Sequence, residues 1–312
     1  MTNLIQTRPC LTSALSLIAL GSIAAYLAER RLNKSCPRVA IHQLPKSSAC
    51  RNLLETGEEV AEASPTGLDK SVLLSSWPST DRKTHWVPSF VALQVDIPIS
   101  QLENYDARKY GVEGGHKPGT CQLSQKLFAA FLDARSRGLE AWILDESTPP
   151  SFTPGSLLFG KSNGVGAFML GSWSSTSRTP LDSQNLPLQG PKPVTEFPSN
   201  KDAISSSSSS SDADTAGTVF YWRVPTGLAN AADRPASYGI PWRFMEGGFQ
   251  EFIVERGPDG TARVSYVAIE CSSLHPGGQR TRDFKMVPKL FYELHVLYAR
   301  ILLFKTLRQL GG

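Results

Sequence analysis

The chain has 312 residues, 32 Lys and Arg against 28 Asp and Glu, and a formal net charge of +4. A balance this mild, with its basic residues dispersed, excludes the concentrated basic face that nucleic-acid binding requires. Cys10, Cys36, Cys50, Cys121 and Cys271 are odd in number, too sparse for a disulfide framework and without CxxC spacing, so they read as separate thiols.

Residues 11–28, LTSALSLIALGSIAAYLA, carry no charge and are followed by Glu29, Arg30, Arg31, Lys34 and Arg38. A run of this length just suffices to cross a bilayer as a helix. Only Arg8 precedes it, so the positive-inside rule predicts a single-pass anchor with the C-terminal bulk in the cytosol. A cleaved signal peptide, with Ser22-Ile23-Ala24 as its small-x-small site, is one alternative, and a mitochondrial presequence is another. These would place the protein in the secretory pathway or the mitochondrion. The next stretch is rich in Ser, Pro and Thr, and 39–84 reads as a flexible stalk after an anchor and basic flank over 1–38.

Residues 87–99, VPSFVALQVDIPI, alternate as a strand closed by Pro98. Leu123, Leu127, Phe131 and Ala134 then mark an amphipathic helix ended by Gly138. Short apolar runs follow at 140–144, 156–160 and 165–173.

Within this region GSLLFGKS, residues 155–162, matches the phosphate-cradling pattern G-x-x-x-x-G-K-[ST]. That loop needs a buried strand before it and a helix N-terminus after it. Here STPPSFTP precedes it, and Pro-rich sequence is no central strand. The loop interior is Leu157-Leu158-Phe159, and SNGVGAFMLG after it starts no helix. AWILDE at 141–146 resembles a Walker B strand but stands on the wrong side of the motif. The expectation is therefore a strand over 156–160 with a turn after it, and no nucleotide bound at Gly155–Ser162.

Ser205 to Ser211 form an unbroken serine run followed by Asp212 and Asp214. Such a tract cannot bury enough apolar surface to offset the entropy of ordering it, so 174–216 reads as a disordered insert. It interrupts one domain made of 85–173 and 217–312. TVFYWRV at 218–224 is a strand, and FQEFIVERGPDGTARVSYVAIE at 249–270 is a hairpin around Gly257-Pro258-Asp259-Gly260. From Pro288, the stripe Leu290, Leu294, Leu297, Ile301 and Phe304 makes a long amphipathic helix. Glu293, His295 and Arg300 argue against its crossing a membrane.

The element order is thus strand, helix, several strands, hairpin, long C-terminal helix. With Gly247-Gly248-Phe249-Gln250-Glu251-Phe252-Ile253-Val254-Glu255, the Asp259-Gly260 turn, and Leu294-His295 with Leu297-Tyr298-Ala299-Arg300, it resembles START-like, Bet v 1-like (SRPBCC, helix-grip) families of unknown function. The resemblance implies an α+β fold whose antiparallel sheet curls around the C-terminal helix and leaves an apolar cavity. It carries over no catalytic residue. It implies a hydrophobic small molecule or lipid as ligand, beside the membrane as partner; in some members the pocket catalyses cyclisation or isomerisation.

Arg stands beside aromatics twice, at Tyr221-Trp222-Arg223 and Pro241-Trp242-Arg243. The ligand-pocket candidates are Tyr221, Arg223, Trp242, Arg243, Tyr266, His295 and Tyr298. The five histidines show no metal spacing, and no cofactor is called for. The leading expectation is a membrane-anchored domain that binds a hydrophobic molecule. The alternatives are a cyclase or isomerase of specialised metabolism and a tethered interaction protein.

Overall fold

A computed structural model describes residues 29–51, 54, 85–112, 118–137, 157–159, 166–175, 215–223, 231, 234, 238, 247–273 and 289–311. Period-two alternation in the β-prone runs yields one antiparallel sheet. Its strands are β1 (His85–Pro98), β2 (Leu157–Phe159), β3 (Gly166–Ser174), β4 (Thr215–Arg223), β5 (Gly247–Arg256) and β6 (Thr261–Ser273). The helices used below are α1 (Ile99–Asn104), α2 (Thr120–Ser136) and α3 (Lys289–Gly311). The class is α+β, as expected, and the elements follow in the expected order.

The strand order is β1-β6-β5-β4-β3-β2. Strands β2 to β6 run on as successive neighbours, whereas β1 returns to pair with the last strand. Between β5 and β6 the chain turns through Asp259 at φ 58° and Gly260 at φ 71°. Asp is one of the few chiral residues that tolerates this left-handed region, and Gly has no side chain to oppose it.

Both faces of the sheet are buried, by different means. The helix face carries Val91 and Leu93 of β1, Met169 of β3, Phe220 of β4, Phe252 and Val254 of β5, and Val264, Tyr266 and Ala268 of β6. Across its middle lies α2, whose Phe128 stacks on Phe220 at 4.9 Å between ring centres. Phe131 meets Phe252 at 4.7 Å and Tyr266 at 5.5 Å, so aromatic rings fill this part of the face. The C-terminal helix α3 lies against α2 and along β1, with Val296, Ala299 and Leu303 turned inward. Two helices, rather than the last one alone, therefore cover the face. The Asp133 carboxylate on α2 fastens the segment after α1 by accepting hydrogen bonds from the hydroxyls of Tyr105 and Tyr110 and pairing with Lys109.

The opposite face carries Ala92, Leu170, Trp173, Val219, Phe249, Ile253, Val267 and Ile269. Leu44, Ala49, Cys50 and Leu54 cover it, with Val39 and Ile41 packed at the margin. This strap corrects the reading of residues 39–84 as a free stalk, as far as Leu54. The polar composition of the window concealed a few apolar residues spaced widely enough to cover a sheet. The strap starts at the sheet edge, where Val39 N donates to Ala92 O at 3.0 Å and Gln94 N donates to Pro37 O at 3.1 Å. Edge strands expose unpaired backbone groups, and this crossing satisfies some of those of β1.

Other expectations meet the structure as follows. Leu157–Phe159 within the GSLLFGKS motif is a strand antiparallel to β3, with Leu157 opposite Phe168. Lys161 and the turn expected there lie outside the described residues. The insert boundaries shift, because Ser174, Thr215 and Ala216 belong to paired strands rather than to the insert. The serine run, the apolar run at 140–144 and residues 1–28 also lie outside the described residues. Among those described, no helix is long and apolar enough to cross a membrane.

Candidate functional site

Two glutamates are fully buried in the sheet, one on each face: Glu251 on β5 and Glu270 on β6, at 0% and 1% exposure. A buried carboxylate is costly unless it is paired or hydrogen-bonded, so each needs an account.

Glu251 faces the strap. One oxygen accepts from Trp173 Nε1 at 2.7 Å and Ala49 N at 2.9 Å. The other accepts from Ser48 Oγ at 2.6 Å and Cys50 N at 3.0 Å. Ser48 Oγ also accepts from Arg51 N, which makes it the N-cap of the short helical turn that follows. Burial holds the Glu251 carboxyl above the ordinary carboxylate value, against the opposing pull of the four donors. All four partners donate, so the ionised form, which only accepts, is the one that fits. The four donors account for this carboxylate as a structural anchor. Gly217 makes room for it, since a Cβ there would overlap the Trp173 indole.

Glu270 faces the helices. The register sets Trp222 opposite Gly248 and Gly248 opposite Glu270. Glu270 is in turn opposite Ser89 on β1, and Trp222 is opposite Ala167 on β3. Strands lie about 4.8 Å apart, so Trp222 and Glu270 stand roughly 10 Å apart with only glycine between them. No larger residue fits at that position, because a Cβ on Gly248 would run into the carbonyl oxygen of Ile269. The rings of Phe220, Phe252 and Tyr266 stand on neighbouring rows of the same face. The row Ala167-Trp222-Gly248-Glu270-Ser89 is therefore a strip of small residues bearing one indole and one carboxylate.

Over this strip α3 lays His295, whose Nδ1 lies 3.1 Å from Glu270 Oε1. Burial holds the imidazole below its ordinary pKa, in its neutral form near pH 7. Its Nε2 is buried and has no hydrogen-bond partner among the described residues, and the same is true of Trp222 Nε1. A buried donor without an acceptor is uncommon in folded proteins and calls for an explanation. A ligand oxygen is one that suits an indole N–H and a ring nitrogen. The carboxylate and the imidazole are in contact without a hydrogen bond between Nδ1 and Oε1.

The pocket candidates named from sequence divide. His295 is in the site, and Tyr298 lies one helical turn further on, half-buried against the core. Tyr266 packs in the aromatic cluster, with its hydroxyl donating to Gln250 Oε1 at 3.1 Å. The ring packs against both Phe131 and Phe252. Tyr221 and Arg223 are paired residues of β4, opposite Phe249 and Gly247, and their side chains lie outside the description. Trp242 and Arg243 lie outside the described residues. Sequence reasoning passed over Glu270. The signal was present as a charged residue continuing the inward series Val264, Tyr266, Ala268.

The fold and the site define a class: an α+β domain with a buried carboxylate–imidazole pair beneath its C-terminal helix. No protein-family model, curated protein or solved structure matches the chain. Among the described residues no cluster of three or more His, Cys, Asp or Glu is placed to hold a metal ion.

Proposed function

We propose that this domain binds a small hydrophobic molecule carrying one hydroxyl or carbonyl group, in a membrane-anchored protein. The observation that carries this reading is the pair of buried, unpartnered nitrogens, Trp222 Nε1 and His295 Nε2, around the bare backbone of Gly248. The ligand's oxygen would satisfy them, and its apolar body would lie on the small-residue strip beneath α3. The helix-grip resemblance supports the same reading, through the strand order that returns β1 to the last strand with helices on one face. The anchor rests on the uncharged run 11–28 and the basic residues after it.

Native mass spectrometry of the full-length protein released from its membrane tests the ligand. The expected result is a co-purifying small molecule that is lost in Trp222→Phe together with His295→Phe. A ligand-free wild type would remove the reading. Resistance to alkaline carbonate extraction tests the anchor separately.

A second reading is an isomerase or cyclase, favoured by the 3.1 Å approach of His295 to Glu270. Glu270→Gln keeps the shape and removes the proton acceptor. Turnover of a captured ligand that survives this change would leave binding alone.

A further inference from the structure

Arg300 on α3 is 9% exposed, and its Nε is buried with no hydrogen-bond partner. No hydrogen bond or ion pair of the described residues involves its guanidinium. Arginine does not shed its proton in proteins, so a buried positive charge stands here without a direct counter-ion.

A second guanidinium is held nearby. The backbone of residues 37–39 is fixed to β1 by the hydrogen bonds of Val39 and Gln94 and by the bridge from Arg38 to Leu93. From there the Arg38 side chain donates to the Tyr292 hydroxyl and lies 5.3 Å from the centre of that ring. Tyr292 is itself fixed, since its hydroxyl donates to Phe90 O at 3.0 Å. Burial lowers the Arg300 pKa, and the like charge of Arg38 lowers it further, whereas Glu29, Glu293 and Cys36 act in the opposite sense. Both acids are exposed and neither forms an ion pair with Arg300. The third group, the Cys36 thiol, is pushed up to about 11 by burial against the pull of Arg300. It is neutral near pH 7 and supplies no countercharge.

We propose that Arg300 and Arg38 form a binding site for a phosphate group, at the seam between residues 36–38 and α3. Two guanidinium forks match a dianion with several acceptor oxygens, which they hold by bidentate, charge-assisted bonds. The seam shares no residue with the Glu270 strip. The phosphate could belong to a lipid headgroup, because the uncharged run ends at Ala28, only a few residues before Cys36, or to a soluble phosphate monoester.

The test uses the full-length protein in a non-ionic detergent, with thermal unfolding followed during two titrations. One adds inorganic phosphate against sodium chloride at matched ionic strength. The other adds a short-chain phosphatidic acid below its aggregation concentration. Saturable stabilisation is expected, weakened about tenfold or more in Arg38→Gln, as the loss of a charge-assisted bond implies, and abolished in Arg300→Gln. Tighter binding of the phosphatidic acid assigns a lipid headgroup, and equal binding assigns soluble phosphate; both support the site. No saturable response to either ligand overturns it, as does a response that Arg38→Gln leaves unchanged. Arg38 is exposed, so its variant decides the question even if Arg300→Gln fails to fold.

Discussion

The two faces of the sheet each bury a glutamate, and they treat it oppositely. On the strap face every acceptor site of Glu251 has a donor, from four partners fixed in place. On the helix face Glu270 meets His295, and two nitrogens of the same neighbourhood, His295 Nε2 and Trp222 Nε1, lack partners. A closed network of this kind specifies and stabilises a fold. Open polar groups in a buried place are a cost to stability, which a ligand can offset. The same residue type thus serves architecture on one face, and on the other it lies among polar groups such as Trp222 Nε1 that the described residues leave open.

Substitutions can break or sharpen this contrast. The largest effect is expected for Glu251→Ala, which strands the donors of Ser48, Ala49, Cys50 and Trp173 in a buried place. Removing one partner of a buried charge network costs about 3–5 kcal/mol, read from the urea midpoint. A loss below about 1 kcal/mol would mean that the strap is not held by this anchor.

Next come the two tryptophans, compared as a pair. Trp173→Phe removes a donor to a buried carboxylate and should cost about 2–3 kcal/mol. Trp222→Phe removes a donor that has no acceptor, and should stay within about 0.5 kcal/mol of the parent protein. Equal losses would erase the distinction between the faces. Gly248→Ala should cost about 1–3 kcal/mol, because the methyl group has no room beside Ile269; a neutral outcome would show that the strip is not so closely packed.

The smallest effect concerns pH. Burial lowers the folded-state pKa of His295 below the value of about 6.5 for an unfolded chain. The unfolded state then binds more protons as pH falls through that range, so stability declines on acidification from about pH 6.5. His295→Phe should flatten the stability profile between about pH 5 and 6.5. A profile as steep as the parent's would assign the acid sensitivity to other groups.

Much of the fold was legible because it rests on local pattern. The hairpin over β5 and β6 follows from two β-prone runs around Pro258-Asp259-Gly260, and α2 and α3 follow from apolar stripes at helical spacing. The strap was not legible, because a segment of mixed composition has no period to betray it. Leu44, Cys50 and Leu54 are buried only because the sheet offers them a face. His295 was legible as a residue of the C-terminal helix, and Tyr266 as an inward residue of a strand. An inward tyrosine on a strand looks the same whether it lines a pocket or fills a stack, and Phe131 and Phe252 decide which.

The sequence by itself determined the α+β class, the order of the elements and the strand within GSLLFGKS, since each depends on residues near one another in the chain. Only the tertiary structure decided the fates of Glu251, Glu270 and Arg300. Whether a buried charge is satisfied depends on partners far away in sequence: Ser48 and Trp173 for Glu251, His295 for Glu270, and Arg38 beside Arg300. No local pattern encodes those meetings, because they are set by strand register and by which segments the two faces of the sheet attract.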